Sequence, residues 1–197
     1  MKIEKIYFDM DGVLADFDRG VREICGLTPQ SQNAKHRSLS ADDAMWVRIK
    51  EAGHYYDRLE LMPGAKEMFD TVFAKYGENC QILTGIPKSK RGIDSAAEDK
   101  VSWVRRLLSD QVKVNTVLRE EKVNYCTGKG CVLIDDAEKN IKQWETMGGT
   151  GILHVSAADT QDRLFFHPAS VPCPFSQDRL LFLARWIQRL FRFRPPQ

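Results

Sequence analysis

The apolar run Ile6-Tyr7-Phe8 ends in Asp9-Met10-Asp11-Gly12-Val13-Leu14, so two carboxylates leave together from the end of a buried strand. Side chains at i and i+2 of a strand share a face, which sets Asp9 beside Asp11 and turns Met10 away. Gly12 supplies the turn by which the chain leaves the sheet. Carboxylates this close repel each other and are stable as a pair only with a cation or a shared proton between them. The economical reading is a magnesium site that contains a nucleophile. An aspartate attacking phosphorus gives an aspartyl-phosphate, and a hard dication held by oxygen ligands offsets charge on the phosphoryl group. The second acid can protonate the leaving oxygen and later deprotonate water. The plain alternative is a pair of acids that solvate a loop.

Three further apolar runs end in polar residues. Gln81-Ile82-Leu83 leads to Thr84-Gly85, a hydroxyl and open backbone amides suited to phosphate oxygens. Val112 to Leu118 is followed, after Arg119-Glu120-Glu121, by Lys122, whose charge suits both a nucleophile and a phosphoryl group. Cys131-Val132-Leu133-Ile134 ends in Asp135-Asp136, a source of further metal oxygens. Each has a structural alternative: Thr84 as a cap, Lys122 as a solvated loop lysine, Asp136 as the N-cap of a helix from Ala137.

The rest of the chain alternates in the same sense. Helices are predicted near Leu14 to Cys25, from a Ser40/Asp43 cap to about Ala52, and between Pro63-Gly64 and Gly77. Another follows the capping box Ser95-Ala96-Ala97-Glu98, with Val101, Val104, Leu107 and Leu108 as its buried stripe. Ile141, Trp144 and Met147 mark a helix before Gly148-Gly149, and Gly151 to Val155 a late strand. This alternation implies an α/β fold, a doubly wound, Rossmann-like parallel sheet covered on both sides, with ligands at the carboxyl ends of its strands. The polar loop from Gly26 to Arg37 and the helices around it interrupt the pattern. Residues 18–61 therefore read as a small helical cap inserted after strand one, with residues 1–17 and 62–197 as the catalytic core. A cap would shield an acyl-phosphate from water and choose the substrate, with Phe17, Trp46, Tyr55 and Tyr56 available to stack on a base or simply to form core.

In order and spacing, the four strand-end motifs resemble those of the haloacid dehalogenase superfamily of phosphotransferases. Within it, FDMDGVLADF, LELMPGA, ILTGIPK, EDKVSWV, VLREEKV and LIDD are similar to the 5'(3')-deoxyribonucleotidase family. The resemblance implies Asp9 as nucleophile, and Asp11 as general acid/base and, through its carbonyl, a metal ligand. It implies Asp135 as the remaining Mg2+ ligand with Asp136 in support, Thr84 and Gly85 holding phosphate, and Lys122 balancing charge. Lys88 and Lys100 align with two basic residues that contact nucleotide in that family, or are helix-end lysines. Where the family has Thr-Ser-Pro, this chain has Thr84-Gly85-Ile86-Pro87, so a backbone amide must replace one hydroxyl. The expected activity is dephosphorylation of nucleoside or deoxynucleoside 5'- or 3'-monophosphates. A phosphatase of another small metabolite, and a silent nucleotide- or phosphate-binding module, stand as alternatives. The intact Asp9, Asp11, Lys122 and Asp135 set argues against the module, which needs no nucleophile.

At 197 residues with 43% apolar content, the chain suits one domain with a modest insertion. Nothing near the N-terminus reads as a signal peptide, and no stretch approaches the roughly 18 apolar residues of a membrane span. Cys25, Cys80, Cys126, Cys131 and Cys173 are odd in number and lack C-x-x-C spacing, which fits reduced thiols in a cytoplasmic protein. A small-molecule phosphomonoester is the expected partner, with no nucleic-acid polymer. From Arg179 onward come five arginines and no acid, against a net charge of +2 for the whole chain, so the remainder is net acidic. Leu180, Leu183, Ile187 and Leu190 share one helical face there, with Arg185, Arg189 and Arg192 on another. Such a helix either packs on its own domain or meets an acidic surface, and Trp186, Phe191 and Phe193 leave a homodimer contact open.

Overall fold

The structure is a computed structural model that describes residues 2–166. The basic C-terminal stretch and Cys173 lie outside the described residues.

Neighbouring residues of β1 (Lys5–Phe8) point to opposite sides of the sheet, and both sides are apolar. Ile6 and Phe8 enter one hydrophobic cluster and Tyr7 the other. The same split divides Val132 and Ile134 from Cys131 and Leu133 in β4 (Cys131–Asp135). With β2 (Cys80–Ile86), β3 (Lys113–Leu118) and β5 (Thr150–Leu153), these strands form a five-stranded, all-parallel sheet in the order β3-β2-β1-β4-β5. A parallel strand buried on both faces needs this unbroken apolar run, because helices cover each face.

The larger cluster takes Met68, Phe69 and Val72 from α3 (Ala65–Tyr76), Trp103 and Val104 from α4 (Ala96–Leu107), and Leu164 from α6 (Ala157–Phe166). Phe8 meets Phe69 edge to face at 5.7 Å. The smaller cluster is closed by Ile141 and Trp144 of α5 (Glu138–Thr146). The fold is thus α/β and doubly wound, and the strand order reverses at β1. Its ligand crevice is expected at the carboxyl end of β1.

Between β1 and α3 come α1 (Phe17–Glu23), α2 (Leu39–Ala52) and a short 3-10 turn, Tyr56–Arg58. They are tied down by polar contacts as well as by packing. His54 Nδ1 lies 2.7 Å from Asp99 Oδ1, Tyr55 donates its hydroxyl to the Phe17 carbonyl, and Arg91 pairs with Asp42 and Asp43.

Four local expectations shift. The helix expected from Leu14 begins at Phe17, because the Met10 carbonyl accepts the amides of Val13, Leu14 and Ala15 in a tight turn and Asp16 then caps α1. The α2 cap is Ser38, not Ser40: its Oγ accepts from Ala41 N at 3.3 Å. Ser95 does begin α4, but its hydroxyl donates to Asp99 Oδ2 at 2.9 Å instead of closing a capping box. The buried face of α4 is Ala96, Asp99, Lys100, Trp103 and Val104, whereas Val101 and Leu107 are only half-buried. Each polar group that turns inward has a partner: Trp103 Nε1 reaches the Leu59 carbonyl at 2.7 Å, and Lys100 reaches two oxygens described below. A polar group is tolerated inside when it is paired, and that is what turns this helix away from its apolar stripe.

The described cysteines Cys25, Cys80, Cys126 and Cys131 are free thiols, with Cys80 and Cys131 buried at the starts of β2 and β4. Among the described residues no helix is long and apolar enough to cross a membrane.

Candidate active site

Parallel register brings the strand ends together. Phe8 pairs with Ile82 on one side and Ile134 on the other, and Asp9 N still donates to the Ile134 carbonyl at 2.8 Å. Asp9, Thr84 and Asp135 therefore leave the sheet on neighbouring strands, all three buried. After Asp9 the tight turn sends Met10 into the core and brings Asp11 back over the sheet edge. Gly12 makes that turn at φ +77°.

Two buried lysines reach this edge from outside the strands. Lys122, from the 3-10 segment Arg119–Tyr125, places Nζ 2.9 Å from Asp9 Oδ1 and 2.7 Å from Asp135 Oδ2. Lys100, from α4, donates to Asp11 Oδ2 at 2.7 Å and to Thr84 Oγ1 at 2.9 Å, with its ammonium 4.5 Å from the centre of the Tyr56 ring. Burial pulls Lys122 toward its neutral form, but Asp9 and Asp135 overcome it and hold the ammonium well above its ordinary pKa. It is a fixed positive charge at neutral pH.

The two acids of the Asp-Asp pair differ in their surroundings. Asp135 accepts from Lys122, from Ala137 N at 2.9 Å, and from Asn140 Nδ2, 2.9 Å from each of its oxygens. Asn140 is itself held by Arg119 Nε at 2.9 Å. Asp136 keeps one buried oxygen, Oδ1, with no hydrogen-bond partner, and Asp11 Oδ1 is in the same condition. Burial first, then the charges of Asp9, Asp135 and Asp11, push Asp136 up to about 8. Burial also raises Asp11, against the opposing charge of Lys100.

These features fit a hard dication. Asp9, Asp135 and Asp136 each offer an oxygen within 4.8 Å of the others. Four carboxylates face only two ammonium groups, which leaves the buried site short of positive charge. Unpartnered buried oxygens are rare in folded proteins and call for an ion or an equivalent donor. The resemblance assigned the ligand role to Asp135 with Asp136 in support. Hydrogen bonds occupy both oxygens of Asp135, whereas Asp136 keeps one buried oxygen without a partner.

Gly12 lies against Asp136 so closely that a Cβ there would overlap its carboxylate. Gly12→Ala adds a left-handed φ to that overlap and is expected to destabilise the fold by about 2 kcal/mol. Urea unfolding checks this, and an unchanged midpoint would refute it.

The structure also places the other residues singled out from the sequence. Gly85 follows Thr84 on β2, where a Cβ would stand 3.8 Å from the backbone of Arg119. Lys88 is exposed and pairs with Glu120 at 2.8 Å. Phe17 is half-buried and packs on Tyr55 and Tyr56, which are core residues. Trp46 donates to Asp42 at 3.1 Å and lies under Arg91. Asn140, Arg119, Gln32 and Asn33 were not anticipated. A buried amide one residue ahead of the Ile141/Trp144 stripe was a weak signal for Asn140, and none marked Gln32 or Asn33.

Comparison with known proteins gives the family. The family described as 5' nucleotidase, deoxy (pyrimidine), cytosolic type C matches residues 2–162. No curated protein matches the chain. Among solved structures, a HAD-hydrolase from Bacillus subtilis, bound to magnesium, superposes with a TM-score of 0.54 at 12% identity, covering 94% of this chain and 100% of its own. A hydrolase from Streptococcus pneumoniae gives 0.49 at 12% identity, with 83% and 99% covered. The L-2-haloacid dehalogenase of Xanthobacter autotrophicus gives 0.49 at 13%, with 91% and 88% covered. The likeness to the Bacillus subtilis protein speaks to fold alone; the family match, spanning most of the chain, shows that it belongs to the cytosolic type C family of deoxy (pyrimidine) 5'-nucleotidases and is a phosphoric monoester hydrolase.

Proposed function

We propose that the protein is a magnesium-dependent phosphomonoesterase that works through Asp9, with nucleoside or deoxynucleoside 5'- or 3'-monophosphates as substrates. The observation that carries this is the coexistence of a buried nucleophile, Asp9, with a fixed ammonium on one oxygen and unpartnered carboxylate oxygens beside it.

Asp9 Oδ1 is engaged by Lys122 Nζ and by Met10 N, so Oδ2 is the oxygen that attacks phosphorus. The phosphorus–ester bond breaks as the new bond forms, and Asp11 gives its proton to the leaving alkoxide. Its raised pKa favours the protonated form that this step needs. Asp11 then takes a proton from water as that water attacks the aspartyl-phosphate. The bond to Asp9 breaks, and inorganic phosphate and the free carboxylate result. Asp9, Asp136 and the Asp11 carbonyl would hold Mg2+, whose charge offsets that of the phosphoryl oxygens. Asp135 instead orients Lys122, and Thr84 Oγ1 with the Gly85 amide takes the phosphate oxygens.

Residues 18–61 serve as a helical cap over this edge, and the ties at His54, Tyr55 and Arg91 support the reading. The family description supports a cytoplasmic location.

The test is phosphate release with magnesium across deoxy- and ribonucleoside monophosphates and common sugar phosphates. Preference for deoxynucleotides is expected. Turnover confined to other phosphomonoesters would keep the mechanism and discard the nucleotide assignment, and no turnover at all would favour a binding module.

A further inference from the structure

The N-terminus of α5 is capped from more than a hundred residues away. Ala137, which precedes the helix, has no side chain able to satisfy its first amides. Asn33, in the loop between α1 and α2, does so instead: its Oδ1 accepts from Glu138 N at 3.0 Å, and its Nδ2 donates to the Asp136 carbonyl at 2.8 Å. One planar amide thus grips the main chain on both sides of Ala137. Its neighbour Gln32 extends Nε2 to 3.4 Å from Asp136 Oδ2. Across from it, the bare Cα of Gly12 abuts the same carboxylate. Flanked in this way, Asp136 keeps Oδ1 buried and without a partner, and an oxygen of its carboxylate shares a small space with oxygens of Asp9 and Asp135.

The loop is anchored at its other end too. Gln30 clasps the main chain of Ser38, accepting from its amide at 2.7 Å and donating to its carbonyl at 3.1 Å, and Ser38 caps α2. The loop is therefore tied to α2 at one end and to the turn carrying Asp136 at the other.

We infer that Asn33 is a positioning residue for Asp136, and that through it the inserted segment sets the affinity of the site for its dication. This rests on the magnesium reading above. The role needs a primary amide of this length: an aspartate cannot donate to the Asp136 carbonyl, and an alanine does neither job. Groups that fix a metal-binding side chain from behind typically change metal affinity by roughly 10–100-fold when removed.

Isothermal titration of magnesium into the metal-free, full-length protein, its Asn33→Ala variant and its Asn33→Asp variant tests the inference. Asn33→Ala is expected to bind magnesium roughly ten-fold more weakly, with kcat restored at saturating magnesium. Such rescue would not occur if the substitution merely damaged the fold. Asn33→Asp separates position from charge. An added carboxylate near the site strengthens cation binding if charge alone matters, and weakens it if the donated hydrogen bond to Asp136 matters, which is the expected result. Wild-type affinity in Asn33→Ala, or tighter binding in Asn33→Asp, overturns the inference while leaving the magnesium reading intact. Absence of magnesium binding by the unmutated, folded protein overturns the magnesium reading and this inference with it. Should Asn33→Ala not fold, Asn33→Asp alone decides.

Discussion

Asp9→Asn is expected to lower phosphate release by a factor on the order of 10⁵, the scale on which loss of a covalent nucleophile is felt. An amide oxygen is too weakly nucleophilic to attack phosphorus, whereas almost everything else about the residue is preserved. Asparagine has the same shape, its Oδ1 can still accept from Met10 N and Lys122 Nζ, and Lys122 keeps Asp135 as its charged partner. The variant should therefore fold and retain ligand. Phosphate release measured beside an unfolding curve separates the two properties. Residual activity within about ten-fold of the parent would remove Asp9 from the chemistry, since a group used only for positioning is worth far less than the nucleophile.

Lys122→Met is expected to strike stability as hard as activity. The ammonium is nearly inaccessible to solvent and lies between two buried carboxylates, Asp9 and Asp135. Methionine fills most of the volume but leaves those charges without a counterion. Breaking a buried ion pair from one side costs roughly 3–5 kcal/mol, a large share of the total stability of a domain this size. The pH dependence follows in sign. In the variant, Asp135, raised by burial, loses the opposing charge of Lys122 and moves further above the unfolded value near 4. The folded state then binds more protons than the unfolded state, so its stability rises as pH falls from neutral toward that value. Buried Asp11 and Asp136 give the unmutated protein a gain of the same sign, so the effect of the substitution is read as the difference between the two proteins. Guanidinium unfolding at neutral and at mildly acidic pH would show it, and a destabilisation that did not shrink on acidification would mean that charge was not its cause.

The parts of the fold that were legible in the chain are those where one physical demand acts alone. A strand buried on both faces must be apolar throughout, so Ile6-Tyr7-Phe8, Ile82-Leu83 and Val132-Leu133-Ile134 were visible, as were the polar residues where each run stops. The helix between Pro63-Gly64 and Gly77 was bounded by residues whose backbone preferences leave little choice, and α3 begins and ends there. Legibility failed where two demands compete. Of the stripe expected for α4, Val104 and Leu108 are buried but Val101 and Leu107 are only half-buried, because Asp99, Lys100 and Trp103 turn inward to groups more than ten residues away. Lys100 is buried and not the solvated helix-end lysine that was one alternative, and it braces Asp11 and Thr84. The contact of Asn33 with the Asp136 turn belongs to tertiary structure alone, because nothing about a polar loop specifies which distant carbonyl it will meet. The distinction between Asp135 and Asp136 was hidden for a related reason: it depends on which of the two Asn140 reaches, and a sequence does not print that direction.

The central position of β1 also has a consequence for how the chain reaches its working state. The strand that is synthesised first can complete its ladder only after Cys131 to Ile134 have been made, since β4 is one of its two neighbours. Parallel pairings between such distant segments form slowly, because chain closure must precede the contacts that reward it. Asp9 with Asp11, Thr84, Lys100, Lys122 and Asp136 come from five separate stretches of that path. Hydrolysis is thus one of the last properties the nascent polypeptide acquires, and its appearance during refolding marks the docking of β4, well after helical signal has returned.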